Sequence, residues 1–269
     1  MTAVNADLQS HYWEISDWLN RSAFKDWTIP KLQEELVKLL ISLGIDLQRM
    51  HLGIPMLHPL HTVGTYNWHR DRGVEVQNFQ RGFTNTQAWL KSPIRPFFEK
   101  GEIEGRIRIE PGSRSDEFPF LISAGEAGAT DYFLQLTNFA DRSTPPEGKD
   151  GIILSWISSA PEGFSEDALE LLRKLRLPLC AQLRSLTHRS RANVVLEAYL
   201  GPYSSRRVYD GQVQRGDGEM IDAVIVFCDL RGSAKLAEHY DVQSYLALLN
   251  DYYEVTAGAF LEAGGEVLK

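Results

Sequence analysis

Gly151-Ile-Ile-Leu-Ser-Trp-Ile-Ser158, followed after a short turn by Phe164-Ser165-Glu-Asp and a long helical segment, decides the fold. The first run is short, apolar and bounded by turn residues, as a buried strand should be. The second opens with a good N-cap and an acidic first turn, which favour a helix start. A strand that feeds a long helix is the exit of a mixed domain, so the chain reads as α+β. Within the helix Ala168, Leu172, Leu175, Leu179 and Leu186 recur at four- and three-residue steps, with Gln182 the polar exception. That spacing predicts an a/d seam suited to pairing with a second copy, so a homodimer through 165–200 is expected. The alternative is a helix that caps its own sheet. Pro178 predicts a kink or local break, and Gly201-Pro202 the end of the helix.

Upstream, an amphipathic helix is predicted from about Ala6 to Leu19. A second is capped by Thr28, with Pro30 in its first turn, a stripe of Leu32, Leu36, Leu39, Leu40 and Leu43, and Gly44 at its end. Leu47–Ile54 and Thr62–His69 alternate as two strands of a hairpin around Leu57-His-Pro-Leu60. Ser92–Lys100, with two prolines, reads as a loop or broken helix, Gly105–Ile109 as a strand, Phe118–Ala129 as a short helix and Asp131–Phe139 as a strand. Asp141–Lys149 is a polar loop with two prolines. His51, His58, His61 and His69 gather in the hairpin region, but no second ligand cluster accompanies them, so ordinary surface or turn histidines are expected rather than metal or haem ligands. Trp68, Trp89, Tyr66, Phe79 and Phe83 are read as core in preference to the lining of a small-molecule pocket.

Composition sets the bounds. With 269 residues, 43% hydrophobic and 24% charged, the chain can bury a core without staples. A net charge of -8 argues against a nucleic-acid partner. Cys180 and Cys228 stand far apart in apolar surroundings and read as small buried hydrophobes. No apolar stretch approaches the roughly 20 residues that span a bilayer, and the first residues lack the features of a signal peptide. No membrane association and a cytoplasmic location are therefore expected.

The chemistry-bearing stretch is Ala223-Val-Ile-Val-Phe-Cys-Asp229-Leu-Arg-Gly232. Ile221–Cys228 is continuous and β-branched, which predicts a buried strand. It delivers the Asp229 carboxylate to a glycine turn that opens a helix, an arrangement suited to a cation and phosphate oxygens. A receiver-type phospho-acceptor is disfavoured, since only Asp222 lies nearby.

Val-Phe-Cys-Asp229-Leu-Arg-Gly232, with Leu246-Ala-Leu-Leu-Asn-Asp-Tyr-Tyr253 and Gly264-Gly-Glu-Val-Leu-Lys269, resembles the first third of a class III adenylate/guanylate cyclase catalytic domain. The resemblance covers about fifty residues. It implies a ferredoxin-like catalytic domain, incomplete here, in which Asp229 binds the metal (two Mg or Mn ions in the full-length enzyme). Leu230, Arg231, Gly232, Ser233 and Ala234 would form the triphosphate loop, and Lys269 would read the adenine of ATP. The implied reaction is two-metal conversion of ATP to cyclic AMP and pyrophosphate. The family has Phe-Thr where this chain has Ser233-Ala234. Its second metal carboxylate, Asn and Arg have no counterpart before Lys269, so this chain alone is expected to be inactive.

The order of elements upstream resembles a GAF-type or PAS-type sensor domain, whose ligand the sequence does not identify. The expected organisation is a GAF-like sensor at 1–164, a signalling and dimerisation helix at 165–200, a linker at 201–219 and the start of the catalytic domain at 220–269. The alternative is a stand-alone dimeric small-molecule-sensing or interaction domain without catalysis.

Overall fold

The structure, a computed structural model, describes residues 3–55, 61–80, 86–139, 151–218 and 220–268. Its backbone divides into two compact units, Met1–Arg191 and Ala192–Lys269. The first contains a six-stranded sheet in the order β3-β2-β1-β6-β5-β4, every neighbouring pair antiparallel. Its strands are β1 (Arg49–Pro55), β2 (His61–His69), β3 (Gly73–Gln80), β4 (Glu104–Arg108), β5 (Asp131–Asn138) and β6 (Gly151–Ser158). Helices α1 (Ala3–Ser22) and α2 (Ile29–Ser42) precede the sheet; α3 (Gln87–Leu90), α4 (Arg95–Glu99) and α5 (Pro119–Glu126) lie between strands; α6 (Glu166–Tyr209) follows it and enters the second unit.

Alternation along each strand divides the side chains between two faces. On one, Met50, Leu52 and Ile54 of β1 join Trp68 of β2, Phe133 of β5, and Ile152, Leu154 and Trp156 of β6. They pack against Ile15 and Leu19 of α1, Leu32, Leu36, Val37 and Leu40 of α2, and the first half of α6. Thr28 caps α2, accepting from the Lys31 N–H, with Pro30 in the first turn. Three polar side chains are paired inside this layer: Gln33 donates to the Met50 and Tyr66 carbonyls, and Trp156 Nε1 donates to Gln135, which in turn donates to the Leu172 carbonyl.

The opposite face is covered over β4, β5 and β6. Phe97, Phe118 and Leu121 pack there on Ile107, Tyr132, Leu134, Leu136 and Ile157. Gly105 of β4 admits the Phe97 ring, since a Cβ there would stand 2.2 Å from it.

The sheet is locked to α6 by a buried carboxylate. Asp131, at the start of β5, is 0% exposed. Arg106 donates to both its oxygens, at 3.0 and 2.8 Å for the closer atom, and the Phe164 N–H donates at 3.0 Å. Arg106 also donates to the Phe164 carbonyl and to Glu166, while Arg108 reaches the Glu162 carbonyl. Such a charge is tolerable inside only when paired and hydrogen-bonded throughout. Gly163 makes the closure possible: its φ is +70°, and a Cβ would fall 1.8 Å from Arg108 Nη1 and 2.5 Å from Asp131 Oδ2. On the other side of β6, burial alone would raise the Asp46 carboxyl, but bonds from Arg70, Ser159 and Ser158 hold it down at about 2.

Four expectations are corrected. Ala168, Leu172, Leu175 and Leu179 belong to the chain's own core, so the seam packs on its own sheet rather than on a second copy. Pro178 does not break α6; the non-helical residue is Gly201, at φ 76° and ψ 162°. Residues 221–228 form no strand, and Val224 and Phe227 are 91% and 95% exposed. A strand needs hydrogen-bonded neighbours, and the second unit contains none among the described residues. Its elements are the end of α6, α7 (Ser233–His239) and α8 (Val242–Glu262). Finally, Cys180 is buried as expected, but Cys228 is exposed. Among the described residues no helix is long and apolar enough to cross a membrane.

Replacing Gly163 with alanine combines a left-handed backbone with a side chain aimed into the Arg108–Asp131 pair. We expect a loss on the order of 3 kcal/mol, read as a drop in the urea midpoint. An unchanged midpoint would show that the junction does not depend on this packing.

Candidate functional site

The second sheet face is not apolar throughout. Arg49 and His51 alternate with Met50 and Leu52 along β1, so they point away from the α1–α2–α6 layer. The register sets His51 opposite Asn67 on β2 and opposite Ser155 on β6. These residues, with Tyr132 of β5, form a polar cluster on an otherwise hydrophobic face. Asn67 Oδ1 takes the Arg49 Nη2 donor at 2.5 Å and the His51 Nδ1 donor at 2.8 Å. An amide oxygen only accepts, so the His51 proton sits on Nδ1 and Nε2 keeps its lone pair.

The Arg49 guanidinium lies 4.5 Å from the centre of the Phe120 ring of α5, a favourable placement for a cation. Phe120 stands edge-on to Tyr132 at 6.5 Å. Two buried polar atoms of the cluster lack a hydrogen-bond partner among the described residues: Arg49 Nε, and Tyr132 Oη, which is a neighbour of Ser155 without a bond in proper geometry. Burial lowers the Arg49 pKa and raises that of Tyr132. Burial, reinforced by the Arg49 charge, pushes His51 down to about 4, although the Asn67 bond opposes it. The ring is therefore neutral at pH 7. His69, on the same face, is half-buried and also lowered, by burial first and then by Arg49 and Arg72.

The carboxylates nearest this end of the sheet serve another arginine. Glu75 and Asp71 stand 3.4 and 3.5 Å from Arg72. Arg49 thus brings one positive charge under α5 with no carboxylate bonded to it among the described residues. The cluster was partly readable: Arg49, His51, Thr65, Asn67 and Ser155 all occupy the off-face positions of apolar strands. Sequence reasoning singled out His51 but expected a surface or turn residue. His69 was grouped with it, His58 lies outside the described residues, and only the backbone of His61 is described. Trp68 is core as expected, Tyr66 packs against the same layer, Trp89 pairs edge-on with Phe98 at 5.7 Å, and Phe83 lies outside the described residues.

The residues expected to hold nucleotide and metal are arranged differently. Asp229 is exposed at the end of an extended segment, Arg231 and Ala234 are exposed, and Leu230 and Ser233 are half-buried. Gly232 caps α7 at φ 81°, and the Ser233 N–H bonds the Leu230 carbonyl, so the turn expected after Asp229 is present. No group of three or more acidic, cysteine or histidine side chains able to hold a metal occurs among the described residues. The Cys228 thiol and Tyr252 hydroxyl are 3.1 Å apart, a bond that with burial and nearby Asp229 raises Tyr252 to about 12. Lys269 lies outside the described residues.

The first unit is thus a mixed α+β body: an antiparallel sheet, a closed helical layer on one face, a half-covered polar cluster on the other, and a long helix leaving the last strand. No family model matches the chain, and no curated protein matches it. Among solved structures it is similar to the A. Aeolicus nlh2 GAF domain in an inactive state, with a TM-score of 0.41 and 13% identity over 66% of this chain and 98% of that one. It is also similar to the VqsR LBD domain from Pseudomonas aeruginosa, at TM-score 0.38 and 13% identity over 65% and 96%. A third is the N-acylhomoserine lactone dependent LuxR family factor CepR2 from Burkholderia cenocepacia, at 0.32 and 13% over 72% and 99%. With TM-scores below 0.5, these likenesses assign no residue of this chain a role.

The neutral His51 has a consequence for stability. Its folded pKa is about 4 and the unfolded value about 6.5, so between these the unfolded chain binds more protons. Its contribution is complete above pH 6.5 and declines as pH falls towards 4. We expect the thermal-midpoint difference between the wild type and His51→Gln to shrink over that window, by the equivalent of about 2 kcal/mol once partial solvent exposure is allowed for. A pH-independent difference would rule out a buried neutral ring.

Proposed function

We propose that the first unit is a GAF-type sensor module that binds a small molecule on the face carrying Arg49, His51, Asn67 and Tyr132, and that α6 transmits the bound state. One observation carries this reading: the half-covered cluster holds two buried polar atoms, Arg49 Nε and Tyr132 Oη, that lack hydrogen-bond partners among the described residues. Folded proteins pair nearly all such groups, so two exceptions in one cluster call for an explanation, which a bound ligand supplies. The path to the helix is short in bonds. Ser155 of the cluster precedes Trp156, which donates to Gln135, and Gln135 holds the Leu172 carbonyl of α6.

Titrating a library of small metabolites into isotope-labelled protein tests the reading. Any compound that binds is expected to shift the resonances of Arg49, His51, Asn67 and Tyr132, with changes continuing to Gln135 and Leu172. Hits confined to the α1–α2–α6 face or to residues 192–269 would refute it.

The output proposed is cyclic-AMP synthesis, which rests on the sequence resemblance of residues 220–269 to a class III cyclase and on the glycine turn that follows Asp229. In that role Asp229 would hold Mg or Mn, Leu230–Ala234 the triphosphate, and Lys269 the adenine. In any form of the protein that makes cyclic AMP, Asp229→Ala should reduce synthesis at least 1,000-fold while ligand binding at the sheet is unchanged. Retained synthesis would end the metal assignment.

A further inference from the structure

Two arginines on the sheet are treated in opposite ways. Arg106 is matched by the buried Asp131 in a two-toothed pair and by Glu166 at its outer edge. Arg49 has an amide oxygen, an aromatic ring and nothing acidic bonded to it among the described residues. The carboxylates near it, Glu75 and Asp71, stand against Arg72 on the exposed hairpin. A guanidinium set in a protein interior with donors to spare is a ready partner for the planar, two-oxygen geometry of a carboxylate.

The rest of the cluster narrows the charge. His51 has committed its only proton to Asn67, so it offers an acceptor and no second cation. Tyr132 adds one neutral donor. His69 on the same face is held towards its neutral form, and Arg72 is occupied by its own carboxylates. Among the described residues Arg49 is the one cation bonded within the cluster, and the Glu75 carboxylate, cross-strand from Asn67, already acts on it electrostatically. With one phenol besides, the site matches a singly charged anion at most. A phosphate dianion would ask for more charge and more donors than these residues present. The half-buried ring of Phe120 against Arg49 provides apolar surface for the remainder of such a molecule.

We infer that the sensor site takes a small organic monocarboxylate, its carboxylate held by Arg49 and its body lying along Phe120. This inference rests on the proposed ligand-binding role of the first unit. Arg49 supplies the charge, Asn67 fixes the guanidinium and the His51 tautomer, and Tyr132 supplies a hydrogen bond. Without an anion, Arg49 has only an amide oxygen, an aromatic ring and the more distant Glu75 charge to offset its partial burial, so the empty protein should gain little in stability from keeping it.

The test uses the whole chain at pH 7.5 with acetate, benzoate, indole-3-acetate and decanoate, the primary amide of each, and inorganic phosphate. Dissociation constants come from resonance shifts and calorimetry. At least one carboxylate is expected to bind with shifts at Arg49, His51 and Tyr132. Its amide should bind at least tenfold more weakly, and Arg49→Gln should lose at least tenfold for the carboxylate while binding the amide unchanged. Arg49→Met should melt no lower than the wild type without ligand, whereas a purely structural arginine would leave the variant clearly less stable. Equal binding of acid and amide, or tighter binding of phosphate than of every carboxylate, would overturn the inference while leaving the sensor reading intact. If no compound moves any resonance of the cluster, both fall.

Discussion

The Asp131 carboxylate constrains more of this molecule than any other single group. It is sealed from water, and its negative charge is acceptable only because Arg106 grips both oxygens while Arg108 approaches from β4 and the Phe164 N–H from the β6–α6 turn. Removing one partner from such a set leaves an uncompensated interior charge, at a cost of about 3–5 kcal/mol. The turn must therefore pass close to β5, which Gly163 permits. Once Phe164 is fixed there, α6 leaves the sheet from one place, and Leu169, Leu172 and Leu175 fall onto Trp156 and Phe133. The core on that face follows from the junction as much as from its own hydrophobicity.

That face and its opposite solve different problems. The helical side encloses long apolar side chains and uses the Gln33 and Gln135 amides to tie backbone carbonyls together, although Gln33 Oε1 and Gln182 Nε2 are buried without a partner among the described residues. The other side is apolar over β4 and β5 but changes to Arg49, His51 and Asn67 at β1 and β2. A core selected only for stability would place aliphatic residues at these off-face positions, because a buried cation without a counter-charge is unfavourable. The ligand proposed above would supply the missing bonds and so account for the asymmetry.

Much of the first unit was legible because its cues are local. The Thr28 cap with Pro30, the apolar run at Ile152–Ile157 and the acidic start of α6 each act within a few residues, and each produced the expected element. β3 was missed because Gly73–Gln80 offers only Val74, Val76 and Phe79 at its apolar positions. The α6 seam was misread for another reason: a four-three spacing fixes which residues share a stripe and says nothing about what covers it. Here the covering surface is the chain's own sheet. Residues 221–228 fail differently, since β-branched residues favour extended backbone but a strand requires a hydrogen-bonded neighbour. The site at Arg49 was half-visible, as polar residues in register on apolar strands. Which of them lack partners depends on Phe120 and Tyr132, and no local pattern brings those two together.

Pro178 and Gly201 show where α6 can be stiff. Proline at 178 deletes the hydrogen bond to the Lys174 carbonyl, which in an isolated helix would invite a bend. Leu175 and Leu179 flank that gap and are both buried against the sheet, so packing holds the axis where the backbone is weakest. Beyond Leu186 that support ends and the exposed residues increase. The helix then departs from helical geometry at Gly201, where φ is positive and any other residue would be strained. The first half of α6 is thus held to the sheet along its length, and Gly201 interrupts its helical geometry. On the sensor reading proposed above, the supported half of α6 would be the lever, anchored at Asp131.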